Sequence, residues 1–549
     1  MRLTSKRLIL AWLISAPFGY FGMGYLSNFY STPFGFTLVA LVLHFGMLLF
    51  LYLTLPMVNL RLQSKPFDMG IALALFIALS ALVWTLFNMA GQFPSLFDAA
   101  FYHLEADQFI YFAIAFILSL LLTGWALSFV EEQKINQPRL HKYVGENLAG
   151  LAVAAFFFSI YLISVSIFNQ PAFNSDDIFF DADSNLWRWR FATADYRDYY
   201  WRPVHPFVLI IIRPLVALIA FFLKGNALHA TFVLVAFTGA FCVFLVWYFV
   251  KQVLGNSLYA LLIASLFGAS TAQLVFSSLI ETYIFLTATA LIFLIFLLKD
   301  KPLFVLVVTG VIAFGITISN FGQTIIAHLL IKRDIKQWVK YGLIVAALVV
   351  PLTLLNNFVY PNSQPYFFDL SSYEGEGHNS FPPSIQRGEY LARVMFLHSI
   401  VAPEPLILEE EIPFLKVWMF RASIKKDPMR LAEYTNWFGT SVALIWFALM
   451  LAGGLLFLKN LGKQDNRLQF TFILILLFNF VLHLRYGKDV FLYSTNWTYA
   501  VILFLALAWR ELANKRWFQI SLLVFIALLL VNNSQLIYTM LSASALHIK

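Results

Sequence analysis

The sequence predicts an all-α polytopic membrane protein, and three observations carry that prediction: an oily composition, apolar runs of bilayer length, and basic residues sorted to alternate loops. Of 549 residues, 60% are hydrophobic and 12% charged, with 59 Phe and 14 Trp, and mean hydropathy is +0.77. Apolar stretches of roughly 20 residues recur, the length that crosses about 30 Å of hydrocarbon at about 1.5 Å per residue. A soluble globular domain is excluded. The single cysteine, Cys242, has no intrachain partner, so there is neither a disulfide framework nor a cysteine-based metal site. No internal repeat, low-complexity tract or long block of like charge is present, and nucleic acid is not an expected partner.

Read between polar punctuation, the spans fall at 8–27, 34–54, 69–89, 109–130, 148–168, 228–250, 257–275, 280–298, 303–319, 321–331, 338–357, 436–458, 468–484, 492–509 and 517–540, about fifteen in all. Arg2, Lys6 and Arg7 precede the first in the manner of a signal peptide, but no small-x-small cleavage site follows. It reads as a retained span with a cytoplasmic N-terminus. Residues 206–223 are apolar enough to cross, yet crossing there would reverse every later loop. Kept on the outer side, they leave Arg61, Lys65, Lys134, Arg139, Lys142, Lys251, Lys299, Lys301, Lys332, Arg333, Lys336, Lys340, Lys459, Lys463, Arg467, Arg510, Lys515 and Arg516 on short inner loops, as the positive-inside rule requires. The segment is therefore expected to be an interfacial or re-entrant helix. Residues 321–331 are too short for an ordinary span, but the basic cluster after them must be inside. A short or broken helix starting near Asn320, Gln323 and Thr324 meets both demands if its polar end faces protein or a water-filled cavity.

This topology puts two long segments outside, 169–227 and 358–435. The first holds six Asp, with Arg188, Arg190, Arg197, Arg202, His205 and a run of Trp and Tyr suited to a headgroup interface. The second holds "DLSSYEGEGHNSFPPSIQRGEY" (369–390), whose Gly, Ser and Pro predict irregular backbone able to fold over a ligand, then "EPLILEEEIPF" and "RASIKKDPMR".

A span, an outer acidic pair in "NSDDIFF", flat aromatic helices, then "RPVHPFVLIIIRP" is an order that resembles the GT-C superfamily of membrane glycosyltransferases, which includes protein O-mannosyltransferases and lipid A aminoarabinose transferases. The resemblance covers roughly 147–357, with support from "LRYGKDVFLYSTNW" (484–497). Here Phe207 stands where the family has a second proline, and no Arg precedes the later acid, Glu281, in "SSLIETYIF". The resemblance implies a GT-C-like bundle with interfacial juxtamembrane helices, organised as four additional N-terminal spans (1–146), a catalytic core (147–357), an outer loop (358–435) and C-terminal spans (436–549). It also implies transfer of a sugar from a polyprenyl-phosphate donor to a hydroxyl of an envelope lipid, glycan or protein, with inversion, at the extracytoplasmic face of a bacterial inner (plasma) membrane.

That chemistry assigns roles. A carboxylate must take the acceptor's proton as it attacks the anomeric carbon; Asp176 is the first choice, Asp177 the second, and Glu281 the family-like second acid. The leaving phosphate needs cations or oriented donors, for which Arg202, His205, Arg485, Tyr486 and Lys488 are candidates. Asp176 and Asp177 read alternatively as loop solvation or a helix cap, His205 as a helix anchor, and Arg485 and Lys488 as snorkelling interface residues. Asp181 and Asp183 form a DxD that could hold a divalent metal or start the following helix, and Glu374, Glu376 and His378 offer hard-metal ligands or simply a surface loop. A transporter or flippase of lipid-linked sugars is the rival class, favoured by the short helix at 320–331 but not by the outward placing of the acids. An O-antigen ligase or polymerase, built on outer Arg and His, is the third.

Overall fold

The computed structural model describes residues 5–132, 139–411, 414–422 and 428–547. Lys134, Ile412 and Pro413 of the acidic stretch, and 423–427 of the basic stretch lie outside the described residues. In chain order the helices are α1 (Ser5–Ser27), α2 (Pro33–Ser64), α3 (Pro66–Gly91), α4 (Ala106–Glu132), α5 (Arg139–Phe168), α6 (Ser184–Ala192), α7 (Val208–Phe222), α8 (Ala227–Leu254), α9 (Ser257–Ala269) and α10 (Thr271–Phe276). They continue as α11 (Tyr283–Leu298), α12 (Leu303–Ile316), α13 (Phe321–Lys332), α14 (Ile335–Val359), α15 (Ile385–Arg393), α16 (Trp437–Asn460), α17 (Arg467–His483), α18 (Thr495–Ala508) and α19 (Arg516–His547). Two small antiparallel hairpins, β1 (Leu406–Glu411) with β2 (Phe414–Trp418) and β3 (Phe420–Arg421) with β4 (Arg430–Leu431), are the only strands among the described residues.

Nine of these helices, α1 to α5, α8, α14, α16 and α19, are long and apolar enough to cross a membrane among the described residues. The chain is a multi-pass helical membrane protein. The other six expected spans are shorter than a bilayer needs: α9, α11, α12, α13, α17 and α18 have 12 to 17 residues, or about 18 to 26 Å of helix. For all but α9 the shortness has one cause. Tyr283 at the start of α11, Thr317 after α12, Ser319 before α13, His483 at the end of α17 and Tyr493 before α18 all line a single cavity, so these helices stop at its floor. Irregular backbone at that depth is permitted because protein and cavity surround it instead of lipid.

Both sequence arguments about parity meet geometry. Phe207 N, at the start of α7, donates to Gly315 O at the cavity end of α12 (3.1 Å). At the other end of α7, Phe222 O accepts from Tyr30 O–H (2.6 Å) in the loop joining α1 to α2, and that loop also binds Phe101 O through Asn28. The 15-residue α7 is thus tied at its start to the cavity end of α12 and at its other end to the loop between α1 and α2. Its apolar face, Val208, Leu209, Ile212 and Val216, is buried while Leu215, Leu218, Phe221 and Phe222 are exposed. For α13, Gln323 bonds Asn320 and Tyr499, and Thr324 accepts from Tyr341 O–H (2.7 Å), so its polar start is satisfied by protein.

At the opposite end the basic loops meet: Arg61 donates to Gly145 O (3.0 Å), Lys251 to Glu146 O, Lys332 pairs with Asp300, Arg467 reaches Ile331 O (3.2 Å), and Lys459 pairs with Glu511 (2.9 Å). The core sits around α8, whose apolar window is 78% buried against 22–28% for α2, α3, α4, α14 and α16. It packs on α5, α9, α11 and α7. An Asn226 cap on His229 N (3.0 Å) begins α8, and Gly255, at φ 71°, ends it with the left-handed turn glycine adopts freely. The N-terminal region divides differently from the expected unit of 1–146: α1, α2 and α4 enclose their own small apolar clusters, whereas Ile71, Leu75 and Leu79 of α3 join the main core beside α5 and α19.

Candidate functional site

A cavity of about 1090 Å³ opens at the end of the bundle where the short helices stop. Four segments build its walls: the acidic loop after α5, the stretch between α6 and α7 that carries Arg202 and His205, the flap between α14 and α15, and the turn joining α17 to α18. These segments interlock. Phe180 N donates to Val417 O (2.7 Å) and Val417 N to Ile178 O (2.8 Å), tying the acidic loop to β2; Phe381 N donates to Arg485 O (2.7 Å) and Gly487 N to Asn379 O (2.9 Å), tying flap to turn.

The acidic loop is locally unusual. Asp177, Phe180 and Asp181 have φ of 64°, 56° and 61°, left-handed backbone that Asp tolerates and Phe seldom adopts. The contorted chain points Asp177, Asp181 and Asp183 at the cavity, while Asp176 goes elsewhere. Its Oδ1 accepts from Leu186 N (2.9 Å) in the first turn of α6, and its Oδ2 accepts from the Tyr199 hydroxyl and, at 3.4 Å, from Tyr200. Asp176 is not part of the cavity lining, and burial raises its pKa despite those donors. This corrects two expectations at once. Asp176, the first choice as base, is the group that satisfies the helix start; Asp183, expected to start that helix, occupies the cap position but makes no side-chain cap bond.

Asp183 instead pairs with Arg202. Burial pushes its carboxyl up, and Arg202 opposes that shift. Asp181, only 7% exposed, is raised well above the usual carboxylate range, first by burial and then by Asp177, with Lys488 pulling the other way. Asp177 faces Lys416 of β2 (3.6 Å). Glu281 is buried behind this wall, accepting from Asp183 N (2.6 Å) and Thr282 N (3.0 Å). It does not reach the cavity, so its catalytic assignment gives way to fixing the Asp183 backbone.

The proposed phosphate ligands separate in the same way. Arg202, Tyr486 and Lys488 line the cavity. Arg202 is bound only through Nη1; its Nε and Nη2 are buried without a partner, and Tyr200 lies under its guanidinium (5.1 Å). Arg485 is exposed and outside the lining, because it is its carbonyl, not its guanidinium, that the turn uses. His205 lines the cavity, but Nδ1 sits 2.6 Å from Ile316 O and 3.1 Å from Thr317 Oγ1. A carbonyl can only accept, so Nδ1 carries the hydrogen and Nε2 is an acceptor. Burial holds the ring neutral, with a pKa down to about 3. Of its two readings, helix anchor is the one the geometry fits; a neutral acceptor nitrogen cannot donate to phosphate.

The candidate metal ligands do not converge. Glu374 is exposed outside the lining, His378 is exposed with Nδ1 on Gly375 O (3.1 Å), Glu376 accepts from Tyr486 O–H (2.6 Å), and Asp183 is taken by Arg202. Among the described residues no group of three or more His, Cys, Asp or Glu could hold a metal ion. The residues present do not fit a divalent metal site.

Several site-building residues escaped the sequence reading. Arg387, 1% exposed, donates to His483 O (3.0 Å), Leu484 O (2.9 Å), Tyr486 O (3.2 Å) and Gly487 O (2.8 Å), clamping the turn that carries Tyr486 and Lys488. Asp489, fully buried, accepts from Met419 N (2.8 Å), Phe420 N (3.1 Å) and Phe491 N (2.9 Å). Its Asp before a short 3₁₀ helix was a readable cap signal; nothing in "QRGEY" announced Arg387. Arg190 pairs with Asp198 (3.1 Å) and bonds Gln364 Oε1 (3.1 Å), holding the first outer segment to the second. No family model matches the chain, and neither the curated proteins nor the solved structures contain a match to it.

Proposed function

We propose that the protein is a membrane glycosyltransferase of GT-C type, moving a sugar from a polyprenyl-phosphate donor to a hydroxyl acceptor in this cavity at the extracytoplasmic face. One observation carries the reading: Arg202, with two buried N–H nitrogens unpartnered, stands beside Asp177, Asp181 and Asp183 on the lining of a cavity roomy enough for a sugar and its phosphate. A buried guanidinium with free donors is built for an anion.

In this reading Asp177 is the base. It lines the cavity and pairs with Lys416 at 3.6 Å. The acceptor oxygen attacks the anomeric carbon and passes its proton to Asp177; the carbon–oxygen bond to the phosphate breaks, and the electron pair stays on the phosphate oxygen, opposite Arg202. The single displacement inverts the anomeric centre. Lys488 adds positive charge on the same lining. The basic end of the bundle would face the cytoplasm, which sets the cavity outside. The larger assembly, about fifteen crossings counting the short helices that end at the cavity, belongs to this proposal. The test is transfer by the purified full chain in proteoliposomes, supplied with polyprenyl-phosphate-linked sugars identified by mass spectrometry of co-purified lipid. Asp177→Asn and Arg202→Gln are expected to insert normally and lose product; full transfer by both variants would overturn the mechanism.

A further inference from the structure

The cavity has two chemically different walls. Arg202 supplies unpartnered donors on one. On the other, the unmet groups are acceptors. His483 is 2% exposed and lines the cavity; its Nδ1 lies 3.2 Å from Tyr486 O, so the hydrogen is on Nδ1 and the lone pair of Nε2 is buried without a partner. Glu376 accepts from Tyr486 O–H through Oε2, while Oε1 is buried and unpartnered. These two atoms face no donor, and a buried acceptor left unmet is costly. Aromatic rings frame them: His483 stacks on Tyr493 (4.3 Å), and Tyr493 lies beside Tyr486 (5.8 Å) and Tyr283 (5.1 Å).

We propose that this wall, Glu376, His483, Tyr486 and Tyr493, is the acceptor subsite and that its occupant is a carbohydrate, the hydroxyl-rich end of a glycan. A sugar ring presents several O–H donors around its rim and an apolar face to the tyrosines. A lipid alcohol brings a single donor, whereas the rim of a sugar brings several to Glu376 and His483 at once. The word acceptor rests on the transferase reading; the binding does not.

The experiment measures binding of fluorophore-labelled di- and trisaccharides of glucose, galactose, mannose, rhamnose and N-acetylglucosamine to the full chain in nanodiscs, beside Ser/Thr peptides and a diacylglycerol probe. At least one oligosaccharide is expected to bind, and Glu376→Gln and His483→Asn are each expected to weaken it by about tenfold or more, the scale of a hydrogen bond to a buried polar group. His483 is deeply packed, so its variant is checked by melting; Glu376 lies on the flap, and its isosteric variant keeps the test decisive if His483→Asn does not fold. Absence of oligosaccharide binding, binding indifferent to Glu376→Gln, or peptide or diacylglycerol binding that Glu376→Gln abolishes overturns the proposal. In transfer assays Glu376→Gln should raise KM for the glycan and leave KM for the donor unchanged; the reverse split also overturns it. Glycan binding without transfer by the native chain would remove the transferase reading and leave the subsite, whereas transfer to peptide or lipid without glycan binding would do the opposite.

Discussion

The two ends of the helix bundle carry charge in opposite ways. At the basic end two ion pairs are open to water: Arg467 with Asp465 and Lys459 with Glu511 have side chains 44% to 59% exposed. At the cavity end Arg190 and Asp198 are wholly buried, and Arg202 and Asp183 nearly so. Exposed pairs exchange water for a partner at little net gain. Buried ones have lost their water, so each needs a full set of partners, and any group left short is poised for a ligand. The basic end is where topology is written; the cavity end is where chemistry is stored.

The sharpest way to break this comparison is at adjacent residues. Asp177→Asn should lower transfer by about 10²- to 10⁴-fold, the usual contribution of a general base, without changing the melting temperature. Asp176→Ala should do the reverse, destabilising the fold by about 0.5–2 kcal/mol as a lost helix cap while retaining most transfer. If a folded Asp176→Ala protein is as inactive as Asp177→Asn, the roles assigned here are exchanged. Next in size, Arg190→Ala strands Asp198 in the interior and should cost about 3–5 kcal/mol, read as lost folded protein by size-exclusion chromatography in detergent.

A smaller effect distinguishes the ends by sign. Burial raises the Asp489 pKa to about 7, whereas Arg467 lowers that of Asp465. An acid whose folded pKa is raised contributes stability that is present below the unfolded value, about 4, and lost as pH climbs to the folded value. Melting measured from pH 4 to 7 should therefore decline through the Asp489 contribution, and Asp489→Asn should flatten that slope. A slope unchanged in the variant would assign the pH dependence to other groups. The smallest effect is expected at the basic end, where Lys459→Ala should leave the melting curve within replicate scatter.

What could be read from the chain was what charge and hydropathy encode along one dimension. The expectation of a non-crossing helix at 206–223, the short helix at 321–331 and the gathering of acids in one segment follow from parity and run length, and α13 is 12 residues long with its polar start bonded by protein. The spans expected at 257–275, 280–298, 303–319 and 492–509 are longer than α9, α11, α12 and α18, because apolar residues enclosed by protein look the same in hydropathy as residues facing lipid. The choice between Asp176 and Asp177 was invisible for a different reason. In extended chain these neighbours differ little; it is the positive φ at Asp177 that turns it towards the cavity, with Lys416 coming from a strand more than 200 positions away. Arg387 was missed because an arginine that binds four carbonyls leaves no partner residue type to find in sequence.

The left-handed run at Asp177, Phe180 and Asp181 has a consequence for anyone engineering this protein. Glycine would relax the backbone at each of these positions, and a selection for heat resistance would be drawn there early. At two of the three, the stabilising replacement deletes a carboxylate from the cavity lining. Durability and turnover are thus set against each other at the same atoms, and thermostable descendants of this chain that keep Asp177 and Asp181 will have found their stability somewhere else.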